Sequence, residues 1–252
     1  MSGLDQDGLG VMVNQEKFKN LEYLGIRSYC FAELDHLEEH RQLLAEIGQL
    51  LAVKGTILLS PEGINIAISG DRSSTEQMFE ACKAIPGLEK IQPKKNWTNV
   101  KSFEKFMVKI KDEIIKMNQP QIKPFKERAP SVDSKTLQKW LETGKDDHGK
   151  PIQIFDTRNE FEIKMGAFEN SINLNLSKFS DFPEMFKKYK EKILKTTKLI
   201  TVCTGGIRCE KATLYMMENG ITDVVQLDGG ILDFLENTNK KNWIGKCFTF
   251  EN

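Results

Sequence analysis

The stretch Lys198-Leu-Ile-Thr-Val-Cys-Thr-Gly-Gly-Ile-Arg208 decides how the second half of the chain folds. Its first five residues are mostly apolar or β-branched, which predicts a short buried strand. Two glycines interrupt that pattern, and residues 210–218 then show a helical one. A strand, a glycine loop and a helix in this order predict one unit of a parallel α/β sheet. Cys203 would lie at the carboxyl end of the strand, where such sheets place reactive groups.

The surrounding sequence continues this alternation of helices and strands. We expect strands at residues 152–155, 172–175 and 224–227, and helices at 134–142, at 182–194 and after Gly229-Gly230. Asp156 and Arg158 directly follow the first of these strands, so they are predicted to share an edge with Cys203. We place this α/β domain at residues 132–245.

The first half shows a different order of elements. Residues 23–31 are rich in strand formers, residues 56–59 are a short apolar run, and apolar residues alternate with polar ones at 64–68 and 106–110, so we predict four strands. Helical patterns begin near Leu37 and at Ser73, which has the capping-box spacing to Glu76. The order β-α-β-β-α-β is that of a ferredoxin-like domain. We place this domain at residues 20–115, after a flexible tail at 1–18 and before a proline-containing linker at 116–131.

Composition excludes several classes of protein. The 252 residues carry 36 basic and 36 acidic side chains, so the chain is not a uniformly basic nucleic-acid binder. The five cysteines have irregular spacings and no CxxC pair, so we expect a protein of the reducing cytoplasm without a metal site. No signal-peptide pattern and no apolar run of roughly 20 residues is present, so we expect no membrane partner. The absence of a GxGxxG or Walker sequence indicates no nucleotide cofactor.

The loop after Cys203 has the features that stabilise a thiolate. Gly205 and Gly206 let backbone N–H groups turn toward an anion, the following helix adds partial positive charge at its N-terminus, and Arg208 adds a permanent cation. We therefore predict Cys203 and Arg208 as catalytic, within a loop formed by Thr204, Gly205, Gly206 and Ile207. The alternative is that Cys203 is a small buried residue in a tight turn.

The loop resembles the active-site loop of the rhodaneses. Asp156-Thr-Arg158, Glu162 and Gly166-Ala-Phe168 resemble the upstream signature of that family, which makes Asp156 and Arg158 supporting residues. The resemblance implies a persulfide carried on Cys203. Cys/Arg phosphatases also have similar loops, but they need five residues between Cys and Arg, and this chain has four.

A closer resemblance includes both halves of the chain. The segment Cys203–Ala212, Pro61-Glu-Gly-Ile-Asn65 and Trp243-Ile-Gly-Lys-Cys247-Phe248 resemble the TrhO-type tRNA uridine(34) hydroxylases, which join an acylphosphatase-like domain to a rhodanese domain. The resemblance implies an oxygen-dependent conversion of the wobble uridine to 5-hydroxyuridine. Molecular oxygen would be the co-substrate, no other cofactor is identifiable, and the partner would be the anticodon loop of tRNA rather than DNA.

Two features leave alternatives open. Cys209 either assists by resolving an oxidised or persulfidated Cys203 through a disulfide, or simply packs. Residues 87–128 contain eleven basic and five acidic side chains, a net charge of +6, with aromatic residues among them. This segment is either a solvated strand face with a linker, or a tRNA-binding surface. Its candidate contacts are Lys94, Lys95, Trp97, Lys101 and Lys105.

Two other functions compete with hydroxylation. A sulfurtransferase would use the same loop to carry a Cys203 persulfide without oxygen. An RNA-binding module would keep the loop without chemistry, although the intact Cys203 and Arg208 argue against this.

Overall fold

The computed structural model describes residues 22–100 and 102–248, so the tail expected at 1–18 lies outside the described residues. The chain forms two compact units, of which the first ends at Ile114 and the second begins at Ile115. The predicted fold class is confirmed, because an α+β unit with a ferredoxin-like sheet precedes an α/β unit with a parallel sheet.

The first unit is one five-stranded sheet with two helices. The sheet order is β4-β1-β3-β2-β5, in which β5 runs parallel to β2 and the other pairs are antiparallel. Ile64, Ile66 and Ile68 alternate along one strand and are at most 1% exposed, so one face of the sheet forms the core. The elements are β1 (Tyr23–Phe31), α1 (Leu37–Leu50), β2 (Lys54–Ser60), β3 (Gly63–Gly70), α2 (Arg72–Lys83), β4 (Lys94–Thr98) and β5 (Phe106–Ile110).

Two details of the first unit differ from the prediction. The strand predicted as the last of the β-α-β-β-α-β order is β5, an addition beside β2, whereas the strand that completes the order is β4 beside β1. β4 was missed because its lysines show no apolar alternation, as is common for edge strands. The second helix begins at Arg72 because the Asp71 carboxylate accepts the Ser74 amide at 3.0 Å, so the capping box predicted at Ser73 was wrong.

The second unit is built on a parallel sheet of order β6-β11-β10-β7-β9. A separate antiparallel pair, β8 with β12, joins the end of the described chain to the same unit. Short 3₁₀ turns precede and follow α5. The elements are β6 (Ser131–Val132), α3 (Ser134–Thr143), β7 (Ile152–Asp156), α4 (Glu160–Met165), β8 (Gly166–Phe168), β9 (Ile172–Asn173), α5 (Phe182–Tyr189), β10 (Lys198–Val202), α6 (Ile207–Glu218), β11 (Val224–Leu227), α7 (Gly230–Asn237) and β12 (Trp243–Gly245).

Apolar side chains cover both faces of this parallel sheet. Phe155, Phe182 and Phe186 belong to one fully buried cluster, and Val202 and Phe234 belong to another. Close-packed apolar side chains therefore lie against both faces of β7 and β10 and fix the positions of their carboxyl ends. The segment interpreted as a linker also contributes to the first of these clusters, through the buried residues Met117, Ile122 and Ala129. Helices in the described part of the chain are all too short or too polar to span a bilayer.

Candidate active site

The register between β7 and β10 brings the two predicted groups of site residues together. The strands are parallel, with Val202 opposite Asp156, so the chain leaves both at the same edge of the sheet. Thr157 reinforces this junction, because its amide and its hydroxyl donate to the Val202 carbonyl at 2.9 and 3.0 Å. Cys203 and Arg158 consequently begin their loops side by side.

The loop encloses the sulfur of Cys203 in a polar cradle. The side chain is 0% exposed, and the Gly206 amide donates to Sγ at 3.1 Å. Gly206 has φ 101°, a conformation that favours glycine and that directs this amide inward. Helix α6 begins at the next residue, so its N-terminus adds partial positive charge close to the sulfur.

The surroundings of Cys203 favour its thiolate. Burial by itself raises the pKa of a thiol, but hydrogen bonding from the Cys209 thiol, the charge of Arg208 and the backbone amides of Cys209 and Arg208 lower the pKa of Cys203 to about 5. Cys82 is also fully buried but lies in the apolar core of the first unit, where burial raises its pKa to about 12. The contrast shows that the cradle, and not burial, determines the state of Cys203.

Cys209 is held as a protonated thiol. Burial raises the pKa of Cys209 well above its ordinary value, and the adjacent Cys203 thiolate raises it further. Its Sγ lies 3.8 Å from Thr157 Oγ1 and the side chain is 0% exposed. Cys209 therefore acts as a hydrogen-bond donor to Cys203 in this structure, where both cysteines are free.

The side chain of Arg208 binds Glu162 rather than the sulfur. Its guanidinium donates to both carboxylate oxygens, with Nη2 to Oε1 at 2.8 Å, and Nη2 also donates to Thr204 Oγ1 at 3.2 Å. Thr204 Oγ1 in turn donates to Glu162 at 2.9 Å. Burial would raise the pKa of Glu162, but the hydrogen bonds and charge of Arg208 and the Thr204 hydroxyl hold it below its usual value. Arg208 thus fixes the loop to α4 and acts on the sulfur through space.

Glu162 is the functional side chain to which the sequence analysis assigned no role. It was quoted only as part of the rhodanese-like signature, and that membership was the one available signal. Its partner Arg208 lies 46 positions away, and a pairing over this separation depends on how α4 packs beside the loop.

Asp156 and Arg158 form a second buried ion pair that supports the same edge. Arg158 donates to both oxygens of Asp156, at 3.0 Å from Nε and 2.7 Å from Nη2, and Nη2 donates to the Gly166 carbonyl at 2.7 Å. Its guanidinium carbon lies 5.3 Å from the centroid of the Trp243 ring. Both members of the pair are 0% exposed, and the pair connects β7, β8 and β12.

The segment after Trp243 belongs to the site as well. β12 pairs with β8 so that Gly245 lies opposite Gly166, and the Lys246 amide donates to the Met165 carbonyl at 2.8 Å. Cys247 is half-buried here, and burial raises its pKa to about 11, with smaller contributions from Arg158, Glu162, Asp156 and Cys203. The motif quoted from the sequence thus lies within electrostatic range of Cys203.

The predicted tRNA-binding residues belong to the first unit. Lys94 and Lys95 lie on β4, where Lys95 pairs with Glu76 at 2.7 Å. Trp97 packs half-buried against the core, and the Arg72 guanidinium lies 5.8 Å from its ring centroid. Lys105 is exposed, and Lys101 is outside the described residues.

The site offers thiolate chemistry in an anion cradle. Among residues 22–100 and 102–248, no group of three or more His, Cys, Asp and Glu side chains is arranged to hold a metal ion. The reactive group of the site is a deprotonated sulfur with hydrogen-bond donors around it. Such a sulfur can act as a nucleophile or carry a second sulfur atom.

A thiolate loop between a strand and a helix of a parallel sheet, braced by an Arg–Glu pair, defines a rhodanese-type domain. Residues 133–237 match the family described as Rhodanese-like domain, and residues 23–114 match the UPF0176 acylphosphatase like domain. Among solved structures, a rhodanese-like domain protein from Staphylococcus aureus is 26% identical and covers 46% of this chain and 98% of its own, with a TM-score of 0.35.

Full-length relatives identify the family. The tRNA uridine(34) hydroxylase of Delftia acidovorans is 41% identical over 230 residues, which cover 91% of this chain and 87% of that protein. The protein of the same name from Variovorax paradoxus is 40% identical over the same shares. This chain belongs to the tRNA uridine(34) hydroxylase family, and the resemblance predicted from its sequence is confirmed.

Proposed function

We propose that this protein is a cytoplasmic enzyme that hydroxylates uridine 34 in the anticodon loop of tRNA to 5-hydroxyuridine, with molecular oxygen as co-substrate. The observation that carries the proposal is the buried Cys203 thiolate, with a pKa of about 5, in a chain 41% identical to a tRNA uridine(34) hydroxylase. All five cysteines are free, which fits a reducing compartment.

Each residue of the site has a defined part in this proposal. Cys203 is the essential thiol, and the Gly206 amide and the Cys209 thiol stabilise its anion by donating hydrogen bonds. Arg208 supplies positive charge and, through Glu162 and Thr204, holds the loop in position. These groups are oriented before any substrate arrives, so the loop need not reorganise when the reaction begins.

The test is the nucleoside content of tRNA from a strain that lacks the gene. Mass spectrometry of digested tRNA is expected to show loss of 5-hydroxyuridine and its derivatives, restored by the wild-type gene but not by Cys203→Ser. Cys30→Ser is the matched control, because Cys30 is a half-buried cysteine of the first unit and should restore the nucleosides. Unchanged nucleosides after deletion, or full restoration by Cys203→Ser, would refute the proposal.

The source of the added oxygen atom gives an independent test. Purified protein incubated with tRNA, a two-electron reductant and heavy-isotope oxygen gas should place one labelled atom in the C5 hydroxyl group and the other in water. Label that comes instead from heavy-isotope water would show that molecular oxygen does not supply the hydroxyl oxygen, and product formed in full without oxygen gas would show that it is not the co-substrate.

We also propose that basic residues of the first unit contact tRNA phosphates. Lys94, Lys95 and Lys105 are exposed and are the proposed contacts, and Lys95 also pairs with Glu76. Trp97 is engaged by Arg72 and the core, so base stacking on its ring would need that cation to move. Lys101 remains a proposed contact from the sequence alone.

A double variant tests these phosphate contacts. Lys94→Ala with Lys105→Ala should weaken tRNA binding and lower the slope of log K against log salt by about 1 to 2, because each phosphate contact contributes about 1. Lys139→Ala is the control, since Lys139 is equally exposed but lies on α3 of the second unit. An unchanged salt slope in the double variant would remove both lysines from the interface.

Sulfur transfer is the second candidate, favoured by the low-pKa thiolate within a rhodanese-type loop. Cys203 would attack the outer sulfur of thiosulfate, displace sulfite and carry the persulfide to an acceptor. Transfer from thiosulfate to cyanide, measured as thiocyanate, tests it directly. A substantial rate with wild-type protein, absent in Cys203→Ser, together with unchanged 5-hydroxyuridine in the deletion strain, would favour this function over hydroxylation.

A further inference from the structure

The turn Gly229-Gly230 at the start of α7 lies directly behind the cysteine loop. Both glycines have positive φ, 73° and 72°, so the chain enters α7 through two consecutive left-handed residues. Beyond its role as a turn into the last helix, this turn determines where the backbone of α7 meets the loop.

Gly230 is packed against the backbone of the cysteine loop. A Cβ at this position would lie 2.7 Å from the Cys203 carbonyl oxygen, 2.7 Å from the Gly206 nitrogen and 2.8 Å from the Gly205 carbonyl carbon. The Gly206 nitrogen is the group that donates to the Cys203 sulfur. No flexible side chain is available to give way at this contact, so any substituent must displace the loop.

The first turn of α7 also binds the loop by hydrogen bonds. The Ile231 amide donates to the Cys203 carbonyl at 2.9 Å, and the Leu232 amide donates to the Thr204 carbonyl at 3.0 Å. Both helices therefore donate hydrogen bonds to the loop: amides of α6 to the Cys203 sulfur, and amides of α7 to the carbonyl oxygens of Cys203 and Thr204.

We propose that Gly230 is a positioning residue for Cys203: the missing side chain lets α7 dock against the Gly206 backbone and thereby keeps the Gly206 amide on the sulfur. Gly230 touches no reacting atom and acts through Gly206. This inference extends the proposed function by naming what holds the reactive cysteine in its active state.

Several other titratable and charged groups also act on Cys203. They come from α4, from the end of β7, from α6 and from the segment after β12, and they are Glu162, Asp156, Arg158, Cys209, Arg208, Glu210 and Cys247. All of them remain in the chain of a Gly230 variant, so a shift in the Cys203 titration reports displacement of the loop rather than the loss of one of these groups.

The experiment compares Gly230→Ala with Gly229→Ala in the full chain. Both substitutions place a side chain at φ near 72°, so both strain the turn by a similar amount. At Gly229, however, the new Cβ would meet the Asp233 side chain, 2.5 Å from its Cβ, and not the cysteine loop. The pair therefore separates strain in the turn from displacement of the loop.

The readout is the titration of Cys203 by the ultraviolet absorbance of its thiolate. Spectra are recorded between about pH 4 and pH 9 for each variant and for the same variant with Cys203→Ser. Subtracting the second set from the first removes the absorbance of the other four cysteines. Wild type and Gly229→Ala should titrate near pH 5. Gly230→Ala should titrate at least about one pH unit higher, because the thiolate loses a hydrogen bond from an amide.

The proposal is overturned if the thiolate of Gly230→Ala titrates at the same pH as that of Gly229→Ala, whether or not both differ from wild type. If Gly230→Ala does not fold, Gly230→Asn takes its place with Gly229→Asn as control, since Asn tolerates positive φ while keeping a Cβ. The titration needs no tRNA. Loss of 5-hydroxyuridine formation is scored separately, so failure of the proposed function and failure of this inference give different results.

Discussion

The buried pair between Glu162 and Arg208 is the contact whose removal should most clearly separate stability from reactivity. Glu162→Gln keeps the size of the side chain and can still hydrogen-bond Thr204, but it removes the carboxylate that Arg208 binds directly and leaves only the charges of Cys203 and Asp156 near the guanidinium. Glu162 is 0% exposed and the Arg208 side chain only 7%, so water cannot take over the lost interaction.

The expected loss of stability follows from this burial. Breaking a buried ion pair costs about 3–5 kcal/mol, and the retained amide hydrogen bonds place Glu162→Gln near the lower end, about 3 kcal/mol. For a domain of this size, 1 kcal/mol shifts Tm by about 3 °C, so the transition of the second unit should fall by about 10 °C. The charge of Arg208 persists, so the pKa of Cys203 should not rise above about 5.

Calorimetry at several pH values is the assay. Because the folded-state pKa of Glu162 is lowered, its contribution to stability is complete above the ordinary glutamate pKa and is lost as pH falls through the lower folded value. The Tm difference between wild type and Glu162→Gln should therefore be largest near neutral pH and shrink in acid.

Glu160→Gln on the same helix is the control. Glu160 pairs with Lys164 at 2.7 Å, but both side chains are exposed, so its loss should cost well under about 1 kcal/mol. A drop in Tm for Glu162→Gln no larger than for Glu160→Gln, or a clear rise in the Cys203 pKa, would refute this account of the pair.

Three other outcomes are expected. Cys209→Ala should raise the Cys203 pKa by about one unit by removing a donor, whereas Cys209→Ser should keep it low; equal thiolate titrations would show that this hydrogen bond is absent. Because the pKa of Cys203 is lowered, its thiolate contributes stability that is complete above the ordinary thiol pKa and is lost as pH falls through about 5. The difference in unfolding free energy between wild type and Cys203→Ser, measured by denaturant titration, should therefore widen between about pH 5 and pH 9. Phe182→Ala should lower the free energy of unfolding by about 3–5 kcal/mol, because it empties a fully buried site. Phe161 is exposed, so Phe161→Ala should lower it by less than about 1 kcal/mol. Similar denaturant midpoints for the two variants would contradict this packing.

The order of elements was predictable wherever local chemistry dominates. Runs of strand-forming residues located β1 and β2, apolar alternation located β3, and a strand followed by two glycines and a helix located the cysteine loop. β4 escaped prediction because an edge strand buries few side chains and therefore lacks the apolar alternation. Its partner, β1, lies more than 60 positions earlier in the chain, so no local pattern could report the pairing.

The sequence alone determined the fold class, the place of Cys203 at a strand end, and the identity of the donors that follow it, because strand periodicity, glycine conformations and helix starts are encoded within a few residues. The tertiary structure alone decided that Arg208 binds Glu162 rather than the sulfur, that Cys209 keeps its proton, and that Gly230 presses on the Gly206 amide. Each of these contacts joins segments that are distant in the chain or depends on burial. The energies of such contacts are set by distance and solvent exclusion, which exist only once the sheet and helices have packed.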